Sequence, residues 1–228
     1  MNEIFNGILQ AINLILTLNP EVVEITARTL FISLSATFIG ALISIPIGGL
    51  INFKKFKGKR SLINLIQTLY SLPTVLVGLF VFLLLSQSGI FGDLHLLFTP
   101  TGMIMGQVIL IMPILIGFTV TALKSVGNDI TDLSISLGAS EFQTIYTIMR
   151  EAKYAIMAAV ILGFGRAISE VGVAIMIGGN IRGFTRVITT TISLETSKGN
   201  LEISIALGII LLGIALIINL LLNQIQEH

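Results

Sequence analysis

The 228-residue sequence contains no cysteine and only two histidines, His95 and His228. Without cysteine there is no disulfide framework, no thiolate nucleophile and no Cys-ligated metal site. Two histidines, one of them terminal, leave no basis for a His-rich metal site or a histidine-centred catalytic relay. No catalytic residue and no metal ligand is therefore expected. Charge is scarce too: Asp, Glu, Lys and Arg make up 11% of residues, against about 25% in an ordinary soluble domain. The net charge of +1 supplies no broad basic surface for nucleic acid. The opening MNEIFNG lacks the basic region that begins a cleavable signal peptide, so the first span is expected to stay in place.

Apolar sequence fills the space that charge leaves. Hydrophobic residues make up 54%. Four stretches carry no charge at all: Thr29–Phe53 (25 residues), Ser61–Gly92 (32), Leu96–Leu123 (28) and Ile203–Gln226 (24). Each exceeds the roughly 20 residues that cross a bilayer. Tyr154–Ile181 is similar apart from Arg166 and Glu170. Five core spans follow, at about 29–52, 61–86, 99–123, 155–180 and 203–225. The chain reads as an all-α integral membrane protein anchored in the cell membrane. Residues 1–23 stand apart: Ile4–Leu18 is interrupted by Asn6, Gln10 and Asn13 and would rise only ~22 Å as a helix. That favours an amphipathic interfacial helix, with a sixth crossing as the other reading.

Lys and Arg set the direction. Lys54, Lys55, Lys57, Lys59 and Arg60 crowd the loop after the first core span. Placing that loop in the cytoplasm puts Lys124, Arg150 and Lys153 there too, with Arg28, Arg182, Arg186 and Lys198 outside. The N-terminus is then outside and the C-terminus cytoplasmic. Gly40, Ser44 and Gly48, and again Gly102 and Gly106, repeat at the spacing that lets membrane helices pack closely. Pro46, Pro73 and Pro113 fall inside spans and predict bends.

The 124–153 connection, KSVGNDITDLSISLGASEFQTIYTIMREAK, is too long for a tight turn and too patterned for a loose one. Asp129 is placed to cap a first helix bearing Ile130, Leu133 and Leu137. Gly138 breaks it, and Ser140 with Gln143 forms a capping box for a second. Phe142, Ile145, Tyr146 and Met149 follow helical spacing on that second helix. These apolar residues either pack beneath the bundle or fill a groove on another subunit.

This segment resembles the coupling motif of binding-protein-dependent ABC importer permeases: Glu-Ala-Ala, three residues, Gly, nine residues, Ile-x-Leu-Pro. Asp132, Leu133 and Ser134 stand at the Glu-Ala-Ala positions, Gly138 at the glycine and Ile148 at the isoleucine, with Ala139 and Ser140 after the glycine. Arg150 and Glu151 replace Leu-Pro. FGRAISEVGVAIMIGGNI, Phe164–Ile181, is similar to a block of molybdate, tungstate and sulfate permeases, and its continuation Arg182–Gly199 is most similar to the tungstate branch. The resemblance covers about residues 24–224. It implies the type I ABC importer permease fold and a homodimer with one central pathway. It also implies two cytoplasmic ATP-binding subunits and an extracytoplasmic solute-binding protein. The cargo implied is a tetrahedral oxyanion: tungstate first, with molybdate or sulfate as alternatives. The chain has no phosphate-binding loop of its own, since its one Gly-Lys, Gly58-Lys59, lacks the upstream glycine. ATP and Mg would sit on the partner. An ion-coupled secondary anion transporter is the rival from another class, weakened by the absence of an inverted repeat.

Within that frame Asp132, Leu133, Gly138, Ala139, Ser140, Phe142, Ile145 and Ile148 are the candidate ATPase-coupling residues. Arg166 and Glu170, four apart on one expected helical face, are candidate gate residues or a buried structural bridge. Gly178, Gly179 and Asn180 either expose amides to a passing oxyanion or cap and turn the helix. Arg182 and Arg186 would guide an anion, pair with the binding protein, or be simply solvated.

Overall fold

A computed structural model describes residues 2–227. Eleven α-helices and one 3-10 turn, Gly92–Leu94, make up the regular structure, with no strand among the described residues. The helices are α1 (Asn2–Leu16), α2 (Pro20–Phe53), α3 (Lys59–Leu69), α4 (Thr74–Leu85), α5 (Pro100–Ser125), α6 (Gly127–Ser136), α7 (Glu141–Glu151), α8 (Lys153–Ile168), α9 (Gly172–Gly178), α10 (Ile188–Ser197) and α11 (Leu201–Glu227).

Among the described residues three helices are individually long and apolar enough to cross a membrane: α2, α5 and α11, the last over Leu201–Leu220. Two more spans arise when α3 is joined to α4 and α8 to α9, each pair sharply bent. The five apolar stretches thus become three whole helices and two broken ones, not five continuous rods. The α3–α4 break lies at Pro73. The ring bars Leu72 from helical geometry, Pro73 is extended (ψ 126°), and its carbonyl accepts from Leu76 and Val77 to start the new helix. Pro46 and Pro113, by contrast, are absorbed within α2 and α5. The 57° break between α8 and α9 contains no proline.

The first core span starts earlier than its charge-free stretch. Asn19 Oδ1 accepts from the amides of Glu21 and Val22 and Pro20 fills the first helical position, a fitting start for a helix. At 34 residues α2 is ~51 Å long, well beyond the ~30 Å hydrocarbon layer. The short α1 packs against α11: a Cβ on Gly7 would lie 2.5 Å from Ile205, and Asn6 donates to Glu202 at 2.8 Å.

The chain divides into two compact units. One comprises Met1–Ala36, Pro73–Leu110 and Gly165–His228; the other comprises Thr37–Leu72 and Ile111–Phe164. In the first, Ile32, Met103, Ala174 and Val187 form one core cluster, and Ile25, Ile188, Leu207 and Ile210 another. In the second, Ala122, Leu123, Ile148, Ala152 and Ile156 pack together, as do Ile51, Ile66, Ile116 and Val120. Lipid tails are as apolar as these side chains, so close contact rather than water exclusion holds them. The small residues supply that contact. A Cβ on Gly48 would sit 2.8 Å from Thr119, and one on Gly106 only 2.3 Å from Ile177.

Candidate functional site

The break between α8 and α9 is held by one carboxylate. Arg166, in the last turn of α8, donates from Nη1 to Glu170 Oε2 at 2.9 Å. The other oxygen, Oε1, accepts the Val173 amide in the first turn of α9 at 3.0 Å. The Glu170 carbonyl accepts the Thr189 hydroxyl of α10 at 2.8 Å. Glu170 thereby ties three helices together. Its side chain is 1% exposed, whereas that of Arg166 is 33% exposed. The i,i+4 pair expected from the sequence forms, but not along one continuous helix: Glu170 lies beyond the end of α8. A buried carboxylate needs a full set of donors, and here the end of one helix and the start of the next provide them. Ser169 completes the junction by donating to the Gly165 carbonyl at 2.8 Å.

Gly178, Gly179 and Asn180 form the turn that ends α9. Gly179 is left-handed at φ 68°, and its amide donates to the Ile175 carbonyl. That amide is engaged within the helix cap, so the turn matches the capping alternative of the sequence reading. The Gly178 carbonyl accepts the Thr185 hydroxyl, and Asn180 Oδ1 accepts the Thr190 hydroxyl at 2.9 Å. The turn is thus stitched to α10 and the segment preceding it.

Arg182 and Arg186 converge on Glu21, a residue the sequence reading passed over. Arg182 reaches Glu21 Oε2 at 2.7 Å and Arg186 reaches Oε1 at 3.7 Å. The hydrogen bond and charge of Glu21 hold the Arg182 guanidinium even more firmly protonated than usual. Lys198 pairs with Glu195 at 2.8 Å. The hydrogen bonds from Lys198 and then Asn200 hold the Glu195 carboxyl below the usual carboxylate range. Glu21, Arg182, Arg186, Glu195 and Lys198 line a cavity of about 420 Å³. Nothing local in the sequence signals the Glu21 contacts, of which the one to Arg182 spans 161 positions.

The α6–α7 hairpin has the expected turn. Gly138 is left-handed at φ 79°, and Ala139 donates to the Ser134 carbonyl at 3.0 Å. Both halves of the capping box are made: Gln143 N–H to Ser140 Oγ at 3.3 Å, and Ser140 N–H to Gln143 Oε1 at 2.8 Å. Asp129 falls inside the first turn of α6, which begins at Gly127, and so does not cap it from outside. The apolar residues divide in two directions. Leu133, Leu137, Phe142 and Tyr146 are exposed, Phe142 by 78%. Ile148 is buried and Met149 packs on its cluster, while Ile145 is half-buried. Asp132 and Ser140 are exposed and Ala139 is half-buried. Of the coupling candidates, Leu133 and Phe142 are therefore open to a partner, and Ile148 holds the hairpin in place.

Residues 25–228 match the family described as binding-protein-dependent transport system inner membrane component. The chain belongs to this family. Three relatives are named for transport. A tungstate uptake system permease protein of Peptoclostridium acidaminophilum is 40% identical over 100% of both chains. A probable anion ABC transporter permease protein of Haloferax volcanii is 42% identical over 90% of this chain and 91% of that one. A tungstate uptake system permease protein of Campylobacter jejuni is 36% identical over 100% and 95%. A chain from inward facing conformations of the MetNI methionine ABC transporter superposes with a TM-score of 0.75 at 15% identity, covering 92% of this chain and 97% of that one. That likeness shows the fold, the one expected of a type I ABC importer permease. As an inner membrane permease component the chain crosses the membrane several times, is not a catalyst, and works with an ATPase and a binding protein.

Proposed function

We propose that this chain is the translocation subunit of an ATP-driven tungstate importer. The observation that carries the cargo is the 40% identity over the whole length of both chains to a tungstate uptake permease. The chain binds no cofactor itself; ATP and Mg reside on the partner. Two copies surround one pathway, with the N-terminus outside, the C-terminus in the cytoplasm, and a binding protein delivering the oxyanion from outside. The basic segment Lys54–Arg60 supports that orientation.

In this reading the α6–α7 hairpin faces the cytoplasm, where each copy presents Leu133, Leu137, Phe142 and Tyr146 to a groove on one of two ATP-binding subunits. Closure of the nucleotide-bound pair moves the hairpins and opens the bundle outward. The Arg166–Glu170 junction supports a gating role because it fixes the angle between two halves of a broken span, a bistable element of the kind that transporters bend. Arg182 and Arg186 meet the anion or acidic residues of the binding protein. Their shared partner Glu21 keeps the two guanidinium groups from repelling one another.

The test is ATP hydrolysis by the complex reconstituted with its ATPase and binding protein, in the presence of tungstate, molybdate or sulfate. Tungstate is expected to stimulate hydrolysis at the lowest concentration. Stimulation by sulfate alone would overturn the cargo.

A further inference from the structure

We propose that a basic cavity at the ends of α2 and α5 binds the phosphate of an anionic phospholipid. The inference rests on membrane placement and on this cavity, and is independent of the cargo and of the docking role proposed for the exposed face of the hairpin. An open cavity of about 630 Å³ lies where α2 and its following segment, the last turn of α5, and helices α6 and α7 meet. Lys55 and Lys124 are the cations in its wall, Asn52 and Thr131 offer uncharged polar groups, and Phe53 and Ile145 are apolar.

Neither lysine forms an ion pair among the described residues, although Glu141 also lines the cavity. A third cation stands beside it: Lys59 donates from Nζ to the carbonyls of Asn52 and Lys54. Two ammonium groups thus border the space with a single carboxylate, and a third is tied to the carbonyl of the lining residue Asn52. Like charges lining one cavity repel, so an anion between them stabilises the arrangement.

Depth then selects the anion. The charge-free runs within α2 and α5 end at Phe53 and Leu123, and Lys54 and Lys124 are the first charges after them. The cavity therefore lies where hydrocarbon gives way to headgroups, a level at which basic pockets between helices capture lipid phosphates. A free phosphate ion offers the same charge, but Phe53, Ile145 and the neighbouring Leu123 and Ile148 would gain nothing from it. They suit the glycerol and first methylenes of a lipid. The ATPase is a less fitting occupant, because the exposed Leu133, Leu137, Phe142 and Tyr146 lie outside the lining, while the coupling candidates within it, Ala139, Ile145 and Ile148, are half-buried or buried.

The experiment uses the full chain, co-purified with its ATPase, in nanodiscs of phosphatidylcholine carrying a small fraction of phosphatidylglycerol. Native mass spectrometry counts the phosphatidylglycerol retained. Lys55→Gln with Lys124→Gln removes the cavity charges; Lys54→Gln with Lys57→Gln removes as many charges from the same segment outside the cavity. Each cavity ammonium lost is expected to weaken retention roughly fivefold, about 25-fold together, while the control pair stays within about twofold. Millimolar inorganic phosphate should not displace the lipid. Equal loss in both pairs would reduce the effect to general surface charge and overturn the site. Displacement by inorganic phosphate would make it a free-ion site. Loss of the ATPase from the cavity variant in pure phosphatidylcholine would assign the lysines to the protein partner instead. All four lysines are exposed, so the variants should fold, and an unchanged melting temperature checks this.

Discussion

Glu170 serves three helices, because each of its polar ends meets a different one. Its near-complete burial and the partial exposure of Arg166 make the two ends of the pair unequal. Arg166→Ala strands a buried carboxylate, whereas Glu170→Ala leaves a guanidinium with some access to polar surroundings. Breaking a buried pair costs about 3–5 kcal/mol. The Arg166 variant should fall in the upper part of that range and the Glu170 variant near the lower. The double alanine variant should be more stable than Arg166→Ala alone, as read by thermal unfolding in detergent. A purely additive result would show that the two residues do not couple.

Glu195 permits a test of pH. Its hydrogen bonds from Lys198 and Asn200 depress its folded pKa, so its contribution is present above the ordinary carboxylate range, about 4.3. It is lost as pH falls through the depressed folded value. Amide exchange at Asn200, whose N–H donates to the Glu195 carbonyl, should accelerate on acidification through that window. Glu195→Gln should remove most of this pH dependence.

Among the elements, the α6–α7 hairpin separates folding from partner contact. Ser140→Ala removes the hydroxyl oxygen that accepts from the Gln143 N–H and should cost about 1 kcal/mol, seen as faster exchange in the first turn of α7. Phe142→Asp should leave that turn unchanged, since the ring is largely exposed. The same change should uncouple ATP hydrolysis from transport in the reconstituted complex. Ile145 is a poorer probe than its spacing suggests, because it is half-buried on the cavity side. Intact coupling in the Phe142 variant would remove the docking role from this face. The broken spans belong to this scale as well. Pro73 forces one break chemically, while the other exists because Glu170 makes a bent junction as well satisfied as a straight helix.

For the molecule as a whole, the bilayer is the solvent that decides the architecture. Every backbone group in the hydrocarbon layer must find a partner within the protein, which leaves helices as the economical solution for this composition. The breaks fall where side chains or capping amides can satisfy the freed groups. The family assignment adds a requirement at the same scale: the energy for transport comes from outside the chain. Purified chain alone in liposomes should therefore move no tungstate. Uptake should appear only when the ATPase, its nucleotide and the binding protein are all supplied. Accumulation by the permease alone, measured with a radioactive oxyanion, would make it a secondary transporter.

Composition determined by itself that this is a multi-span membrane protein, because charge scarcity and apolar run length act independently of fold. Local spacing determined the hairpin, its glycine turn and its capping box, since every contact involved lies within a few residues. The glycine repeats likewise announced close helix packing, although Ile177 and Thr119 as the neighbours of Gly106 and Gly48 were not legible. Only the tertiary structure decided that Glu170 stands outside α8 and caps α9, and that Glu21 gathers Arg182 and Arg186. It also decided which hairpin side chains turn inward. Helical periodicity reports that a residue has a face. Which neighbour meets that face depends on chain segments far apart in sequence, brought together by packing that no local pattern records.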